Sequence, residues 1–346
     1  MKLNKLLVLT SAFACALTLA SCGKKEVKGY VGLGHAASYA YTAATETAAQ
    51  KGQIDATAAM VVFDKNGKVL ENRIDVVQVK FGAQADDQGN YGLVISNLAD
   101  GDVKTKLELG KDYNMKRASA LGAEVDAQIE AFADWTIGKT MAEIEAATEL
   151  KEHNGEQTPY LKEGVASCTI AVGDFIEAMK CAWNLKDAEE VKLPEKYSVG
   201  VNFKSGLYYS NKNEVTIDMG GVVMADGKVV AAQIDALDLQ FNTSASAIAL
   251  KDSKYVKKEG ETIVDIAVSK KELGAAYAMK PTSELEWFEH ADIIEHLVVG
   301  KNADGIKAIK ADEWKAAKAT ITVTAYVEAL SSAAKYADME HVGPQA

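Results

Sequence analysis

The residues best suited to chemistry in this sequence surround one threonine. Residues 162–172 read KEGVASCTIAV, so Ser167 and Cys168 directly precede Thr169, and an acid, Glu163, lies six residues before it. Small neighbouring side chains leave a hydroxyl accessible, as a covalent modification of that hydroxyl requires. The stretch therefore indicates a modification site at Thr169. The alternative interpretation is an ordinary threonine at the start of a buried strand.

An eleven-residue segment that occurs twice could serve either structure or binding. KLELGKDYNMK begins at Lys106 and KKELGAAYAMK begins at Lys270, with seven identical positions. Gly110 and Gly274 could each close a turn, with the neighbouring leucine, tyrosine and methionine packed beneath the following helix. The other interpretation is that the tyrosine and methionine of each copy line an apolar slot for a flat ring system. These residues are Tyr113 and Met115 in the first copy and Tyr277 and Met279 in the second.

Matching patterns of secondary structure surround the two copies. The segments that begin at Val61 and Val222 each predict a β-hairpin with an Asn-Gly or Asp-Gly turn. After each copy, apolar residues at helical spacing predict a helix, and Ser283 with Glu286 could form a capping box for the second one. Each pattern then ends in a β-like run, from Cys168 and from Ala319, that passes into a further helix. The predicted helix faces are Leu121, Val125, Ile129 and Phe132 in the first case, and Leu285, Phe288 and Leu297 in the second.

The same order of elements therefore occurs twice, about 160 residues apart. This distance is too long for a solenoid, whose units span roughly 20–50 residues. The sequence predicts an α+β fold with two tandem, duplicated domains, each a β-hairpin or sheet packed with helices. The expected boundaries are a lipoprotein signal peptide at 1–21, a first domain at 22–190 and a second at 191–346, since a charged stretch containing Pro194 separates the copies.

Charge and cysteine content exclude several classes of function. The formal net charge is −11, and an acidic surface repels phosphate backbones, so nucleic acid is not an expected partner. No CxxC or CxxCH pattern supplies ligands for c-type haem, an iron–sulfur cluster or structural zinc. Cys168 and Cys181 could form a disulfide, which their spacing does not decide. His290 and His296, set among glutamates, indicate a solvated acidic helix rather than a metal site.

The N-terminal segment predicts export. Residues 1–21 combine a basic start, an apolar run and small final residues, which is typical of a secretory signal. The ending LASC resembles the lipobox of bacterial lipoproteins, whose cysteine, here Cys22, is diacylated and becomes the first mature residue. An ordinary signal followed by an unrelated cysteine is the alternative. The resemblance implies a protein held on the extracytoplasmic face of the cell membrane by a lipid anchor.

The lipobox, the repeated ELGKDYNMK segment and the stretch VASCTIAVGDFIEAMK together resemble a group of bacterial surface lipoproteins with tandem FMN-binding-like domains. These are related to the flavin-binding lipoproteins of Gram-positive extracellular electron transfer, in which a flavin transferase joins FMN through its phosphate to a threonine. The transferase pattern is roughly Asp-x-x-Ser/Thr-Gly-Ala-Thr. Residues 163–169 match its length and final residue, with Glu163 in place of the aspartate. In the second copy Thr320 is kept, but Asp312 lies two residues too early and Lys318 replaces a small residue.

Two functions follow from this resemblance. The first is a membrane-tethered electron carrier with covalent FMN on Thr169, or also on Thr320, that receives electrons from a membrane donor. The tyrosine, methionine and glycine of each repeated segment, with Glu163 and Ser167, would contribute to the cofactor site, and the protein would be a carrier rather than a catalyst with its own substrate. The second is a non-redox surface lipoprotein whose degenerate flavin-domain repeats bind a small ligand or a protein partner.

Overall fold

Each half of the chain folds into an antiparallel sheet whose main strands follow one another in sequence order. The computed structural model describes residues 26–45, 48–153, 155–208, 211–259, 262–265 and 268–338. The predicted signal peptide and the predicted lipid attachment at Cys22 lie outside these residues. Helix makes up 28% and strand 40%, with several antiparallel sheets, which confirms the α+β class.

The strands fall into two larger sheets and two small hairpins. In chain order they are β1 (Glu26–Thr42), β2 (Lys51–Phe63), β3 (Val69–Ala85), β4 (Tyr91–Ile95), β5 (Thr148–His153), β6 (Glu156–Leu161), β7 (Val191–Pro194), β8 (Ser198–Tyr208), β9 (Asn211–Ala225), β10 (Lys228–Thr243), β11 (Ile248–Leu250), β12 (Lys257–Glu259) and β13 (Thr262–Asp265). The first sheet has the strand order β4-β3-β2-β1-β7 and the second has the order β11-β10-β9-β8. Strands β5 and β6 form one hairpin, and β12 and β13 form the other.

Among the described residues, the N-terminal half contains four α-helices and the C-terminal half contains five. They are α1 (Lys106–Leu109), α2 (Val125–Thr136), α3 (Met141–Ala146) and α4 (Gly173–Leu185), then α5 (Lys270–Leu273), α6 (Trp287–Val298), α7 (Ala303–Lys307), α8 (Ala311–Ala316) and α9 (Thr324–Asp338). The short helices α1 and α5 each continue into a 3₁₀ turn, at Gly110–Tyr113 and Gly274–Tyr277. We call residues 26–194 the N-terminal half and residues 198–338 the C-terminal half.

Three apolar cores produce four layers: helices, sheet, sheet, helices. Side chains alternate between the two faces of a sheet. The central strands are buried on both faces, so apolar residues occupy both sets of positions. In β2, Met60 and Val62 belong to a core that the two sheets share, whereas Val61 and Phe63 pack against α2 and α4. The outer face of the second sheet packs in the same way against α6 and α9. The halves of the chain therefore bury a common core between their sheets.

Glycines allow the long helices α4 and α9 to approach the sheets closely. A Cβ atom on Gly32 of β1 would lie 2.1 Å from the carbonyl oxygen of Ala182 in α4. A Cβ atom on Gly200 of β8 would lie 2.0 Å from the carbonyl oxygen of Ala333 in α9. Since both obstacles are backbone atoms, a side chain at either glycine would force the helix away from its sheet.

The two predicted hairpins are confirmed. Strands β2 and β3 pair antiparallel, as do β9 and β10. The connection between β9 and β10 is the two residues Asp226 and Gly227, both with positive φ (49° and 70°). This is the backbone conformation that a two-residue Asp-Gly hairpin turn requires.

The predicted β-like runs from Cys168 and Ala319 are wrong, because both are irregular segments. A strand needs a neighbour for its backbone groups, and these runs bond locally instead. The Val172 N–H donates to the carbonyl oxygen of Pro159 (2.9 Å), and the Ala319 N–H donates to that of Trp314 (3.0 Å). Their apolar side chains fill space beneath the helices that follow.

The start and face of two helices also differ from expectation. Leu121 precedes α2 and is 48% exposed, whereas the other three predicted positions of that face are buried. The capping box at Ser283 is wrong, because α6 begins after Glu286, whose N–H donates to the Glu289 carboxylate (2.8 Å). The α6 residues buried in the core are Trp287, Ala291, Ile294 and Val298, whereas the predicted Leu285, Phe288 and Leu297 are only half-buried.

Strand β7 extends the first sheet by pairing with β1, so these residues, which begin the predicted second domain, pack with the N-terminal half. Within the part of the chain that the structure describes, no helix is long and apolar enough to cross a membrane.

Candidate functional site

Thr169 is exposed in the segment between β6 and α4, and a buried glutamine holds it. Its backbone N–H and its hydroxyl both donate to the side-chain oxygen of Gln128, at 2.9 and 3.1 Å. Glu163 and Ser167 are exposed in the same segment. The threonine hydroxyl is thus fixed in position and remains at the surface.

Gln128 joins Thr169 to the repeated segment. It lies on the buried face of α2, fully enclosed, and its amide nitrogen donates to Ser119 Oγ (3.0 Å) and lies 3.6 Å from the sulfur of Met115. Gln128, which is not among the predicted site residues, therefore connects two that are, Thr169 and Met115. The available signal was a polar residue among the apolar positions Val125 and Ile129.

The repeated segment has a clear structural role in both copies. Its glutamate completes a capping box, with Thr105 in the first copy and Ser269 in the second. Gly110 and Gly274 then adopt positive φ (47° and 49°) where helix gives way to 3₁₀ turn. The turn predicted at these glycines is confirmed. Beyond it, Tyr113 and Met115 pack against the core of the N-terminal half, and Tyr277 and Met279 against that of the C-terminal half.

An open cleft of about 540 Å³ adjoins the first copy. Tyr113 and Met115 form part of its wall, together with the three lysines Lys80, Lys104 and Lys106. The Lys106 ammonium lies 5.3 Å from the centre of the Tyr113 ring. Burial lowers the pKa of Lys106, and burial raises the pKa of Tyr113. The cleft thus combines positive charge with one flat and one polarisable side chain.

In the second copy, other side chains pack around Lys270 and Tyr277. Lys270 forms an ion pair with Asp238 (3.1 Å) and lies 3.4 Å from the Tyr326 hydroxyl. The Tyr277 ring has Tyr255 on one side, with ring centres 6.5 Å apart, and the ammonium of Lys254 4.3 Å from its centre.

A histidine stands in the C-terminal half where Gln128 stands in the N-terminal half, since each is the fourth residue of its helix. His290 Nε2 lies 3.1 Å from Ser283 Oγ and 3.5 Å from Thr320 Oγ1. Thr320 is exposed, like Thr169. Burial lowers the pKa of His290.

The two histidines of α6 differ in exposure, and both described cysteines are free. The predicted solvated helix is wrong for His290, which is 1% exposed, and holds for His296, which is exposed. Among the described residues, no group of three side chains could hold a metal ion. Cys168 and Cys181 are both free thiols. Cys168 is buried, and this burial raises the pKa of its thiol to about 11.

No family model, curated protein or solved structure matches this chain.

Proposed function

We propose that the protein is a membrane-tethered, extracytoplasmic electron carrier whose N-terminal half holds FMN, joined through its phosphate to Thr169. One observation carries most of the support: Gln128 links the exposed hydroxyl of Thr169 to Met115, which lines the basic cleft of about 540 Å³. Thr169 does not line the cleft itself and is connected to it through the side chains of Gln128 and Met115. The anchor is Cys22, diacylated.

The residues of the cleft fit the chemical character of FMN. FMN combines a flat, largely apolar ring system with a phosphate that carries negative charge. Tyr113 and Met115 offer aromatic and polarisable surface, and three lysines favour an anionic ligand. When bound, a flavin accepts two electrons and can pass them on singly. The chain's own tasks are to tether the group, bind it and expose it to partners.

Thr169 is a better attachment site than Thr320. Tyr113 and Met115 of the first copy both line a cleft. A cleft of about 650 Å³ in the C-terminal half has Ala319 and Ile321, beside Thr320, in its wall, but neither Tyr277 nor Met279 of the second copy. Lys318, two residues before Thr320, has positive φ (70°), whereas Ser167, two residues before Thr169, does not. The backbone that leads to the two threonines therefore differs in conformation.

We further propose that the halves arose from one duplicated α+β domain. The matched pairs that support this are the glycines Gly32 and Gly200 beneath the long helices, and Gly110 and Gly274 in the repeated segment. Duplication would explain why an exposed threonine meets the fourth residue of a helix in both halves.

The carrier requires two partners. A flavin transferase attaches the cofactor, and a membrane-bound donor supplies electrons. The lipid anchor keeps the carrier close to that donor. It therefore raises the effective concentration of the carrier around the donor.

Co-expression with a flavin transferase tests the proposal. We expect intact mass and peptide mapping to find one FMN, on the Thr169 peptide. The Thr169→Ala variant should lose it, and the matched Thr320→Ala variant should retain it. Modification that survives Thr169→Ala and vanishes in Thr320→Ala would assign the cofactor to the other half.

A non-redox surface lipoprotein that binds a small anionic ligand is the second candidate. It is favoured by the three lysines of the cleft, because they could bind a small anionic ligand without a covalent bond to Thr169. An unmodified Thr169 peptide, under conditions in which a known substrate of the transferase is flavinylated, would support this function instead.

A further inference from the structure

A cysteine, a histidine and a glutamate form a chain of contacts where the two halves meet. His35 lies in β1 of the N-terminal half, and its Nδ1 is 3.6 Å from Sγ of Cys181 in α4. Its Nε2 is 3.5 Å from a carboxylate oxygen of Glu272 in α5 of the C-terminal half. The imidazole is therefore held between a thiol and a carboxylate from different parts of the chain.

The parts of this cluster differ in access to solvent. The side chain of His35 is only 2% exposed, whereas that of Glu272 is 26% exposed and Cys181 is partly exposed. The Glu272 carboxylate is itself fixed, because it accepts the Ser269 N–H (3.0 Å) in the capping box of α5. The histidine is thus locked in place while the thiol remains within reach of small molecules.

The groups around His35 favour its charged form. Burial by itself would lower the pKa of His35, but the hydrogen bond with Cys181, the negative charge of a Cys181 thiolate and the nearby charges of Asp235 and Glu272 outweigh it and raise the pKa to about 9. When His35 is protonated, its Nδ1–H lies against the Cys181 sulfur. A neighbouring positive charge stabilises negative charge on sulfur and so promotes attack by that sulfur.

The fold does not require a thiol and a histidine at such a junction. A similar contact between the halves joins Asn202 of β8 to Glu108 of the first capping box, from Nδ2 to Oε1 (3.4 Å). That contact contains an amide and a carboxylate. A purely structural bridge can therefore be built without reactive groups.

We infer that Cys181 is a nucleophilic thiol, positioned by His35 and Glu272, that reacts with small disulfides by thiol–disulfide exchange. The Cys181 sulfur attacks one sulfur of the disulfide, a new S–S bond forms and the old one breaks. The departing thiolate leaves with the bonding pair and takes up the proton that the Cys181 thiol gives up. The site shares no residue with the cleft of the proposed function and is independent of it.

The test compares Cys181 with Cys168 in the same molecules. The purified full chain is treated in parallel with iodoacetamide and with oxidised glutathione, and peptide mapping follows each cysteine over time. We expect Cys181 to be alkylated about tenfold faster than free glutathione at pH 7 and to form the mixed disulfide. The buried Cys168 should react slowly with both reagents.

Two variants separate positioning from folding. His35→Asn removes the imidazole, and Glu272→Gln removes the carboxylate charge but keeps an oxygen for the capping box. We expect both to slow the reactions of Cys181. His35→Asn should also make alkylation fall more steeply between pH 8 and pH 6. Slow reaction of Cys168 in each variant reports an intact fold. The inference is overturned if Cys181 is alkylated no faster than glutathione, or if the mixed disulfide forms equally fast in His35→Asn.

Discussion

Two buried aspartates show how single residues support the matched helices α1 and α5. Asp75 in β3 is fully buried and accepts the N–H of Leu107 (3.1 Å) at the start of α1. Asp235 in β10 is 1% exposed and accepts the N–H of Lys271 (3.0 Å) at the start of α5. Each carboxylate thus satisfies a backbone donor that a helix leaves open at its first turn.

The charge of Asp75 should lower stability as the pH rises. Burial raises the pKa of Asp75 to about 7, above the value of about 3.9 in an unfolded chain. The folded state therefore binds more protons between these values, and the free energy of unfolding decreases from about pH 4 to pH 7. Asp75→Asn removes this dependence. We expect the stability of the wild type relative to Asp75→Asn to fall by about 2–4 kcal/mol from pH 4 to pH 8.

Urea unfolding of both proteins at pH 4, 6 and 8 measures this difference. A constant difference at all three pH values would mean that Asp75 titrates in the folded protein as it does in the unfolded chain.

At the scale of elements, close contact between helix and sheet depends on glycine. Gly32 and Gly200 occupy the strands under α4 and α9, at points where the backbone of the helix leaves no room for a Cβ atom. The alanines Ala182 and Ala333 face them from the helices. Small residues on both sides bring the elements together and increase the number of atoms in van der Waals contact.

Gly32→Ala should therefore displace α4 and reduce stability by about 3 kcal/mol, because the obstacle is a carbonyl oxygen rather than a movable side chain. Gly206→Ala in β8 is the matched control, since no atom lies within 4 Å of its Cβ position. We expect the control to change stability by less than about 0.5 kcal/mol. Denaturant titrations of both variants give these values, and equal effects would refute the packing argument.

At the scale of the whole molecule, the shared core links the stability of the halves. Met60 of β2 packs into the core between the sheets, where its sulfur would lie 2.5 Å from a Cβ atom on Gly221 of β9. Neither sheet could bury this face alone. We therefore expect the chain to unfold in one cooperative transition.

A substitution far from the C-terminal half tests this cooperativity. Ile129→Ala, on the buried face of α2, should cost about 2–5 kcal/mol because it leaves a buried cavity. In a protein with Trp135 and Trp183 replaced by phenylalanine, fluorescence reports on Trp287 and Trp314 of the C-terminal half alone. We expect Ile129→Ala to lower the midpoint of that signal. An unchanged midpoint would show that the halves unfold independently.

The sequence by itself determined the features that depend on neighbouring residues. The Asp-Gly turn at Asp226, the turns at Gly110 and Gly274 and the two hairpins follow from backbone preferences and from apolar runs bounded by turn residues. Both signals act within a few positions. The α+β class follows from these elements. The small residues beside Thr169 likewise predict its accessible hydroxyl.

Only the tertiary structure decided which apolar surfaces meet. Both faces of β2 are apolar, and nothing in its sequence says that Met60 faces another sheet while Phe63 faces a helix. The sequence pattern also predicts a strand at residues 168–172, but in the described structure this segment is irregular and pairs with no strand. Gln128 and His35 acquire their partners from residues 41 and 146 positions away. Such contacts depend on how the whole chain closes on itself, which local spacing does not encode.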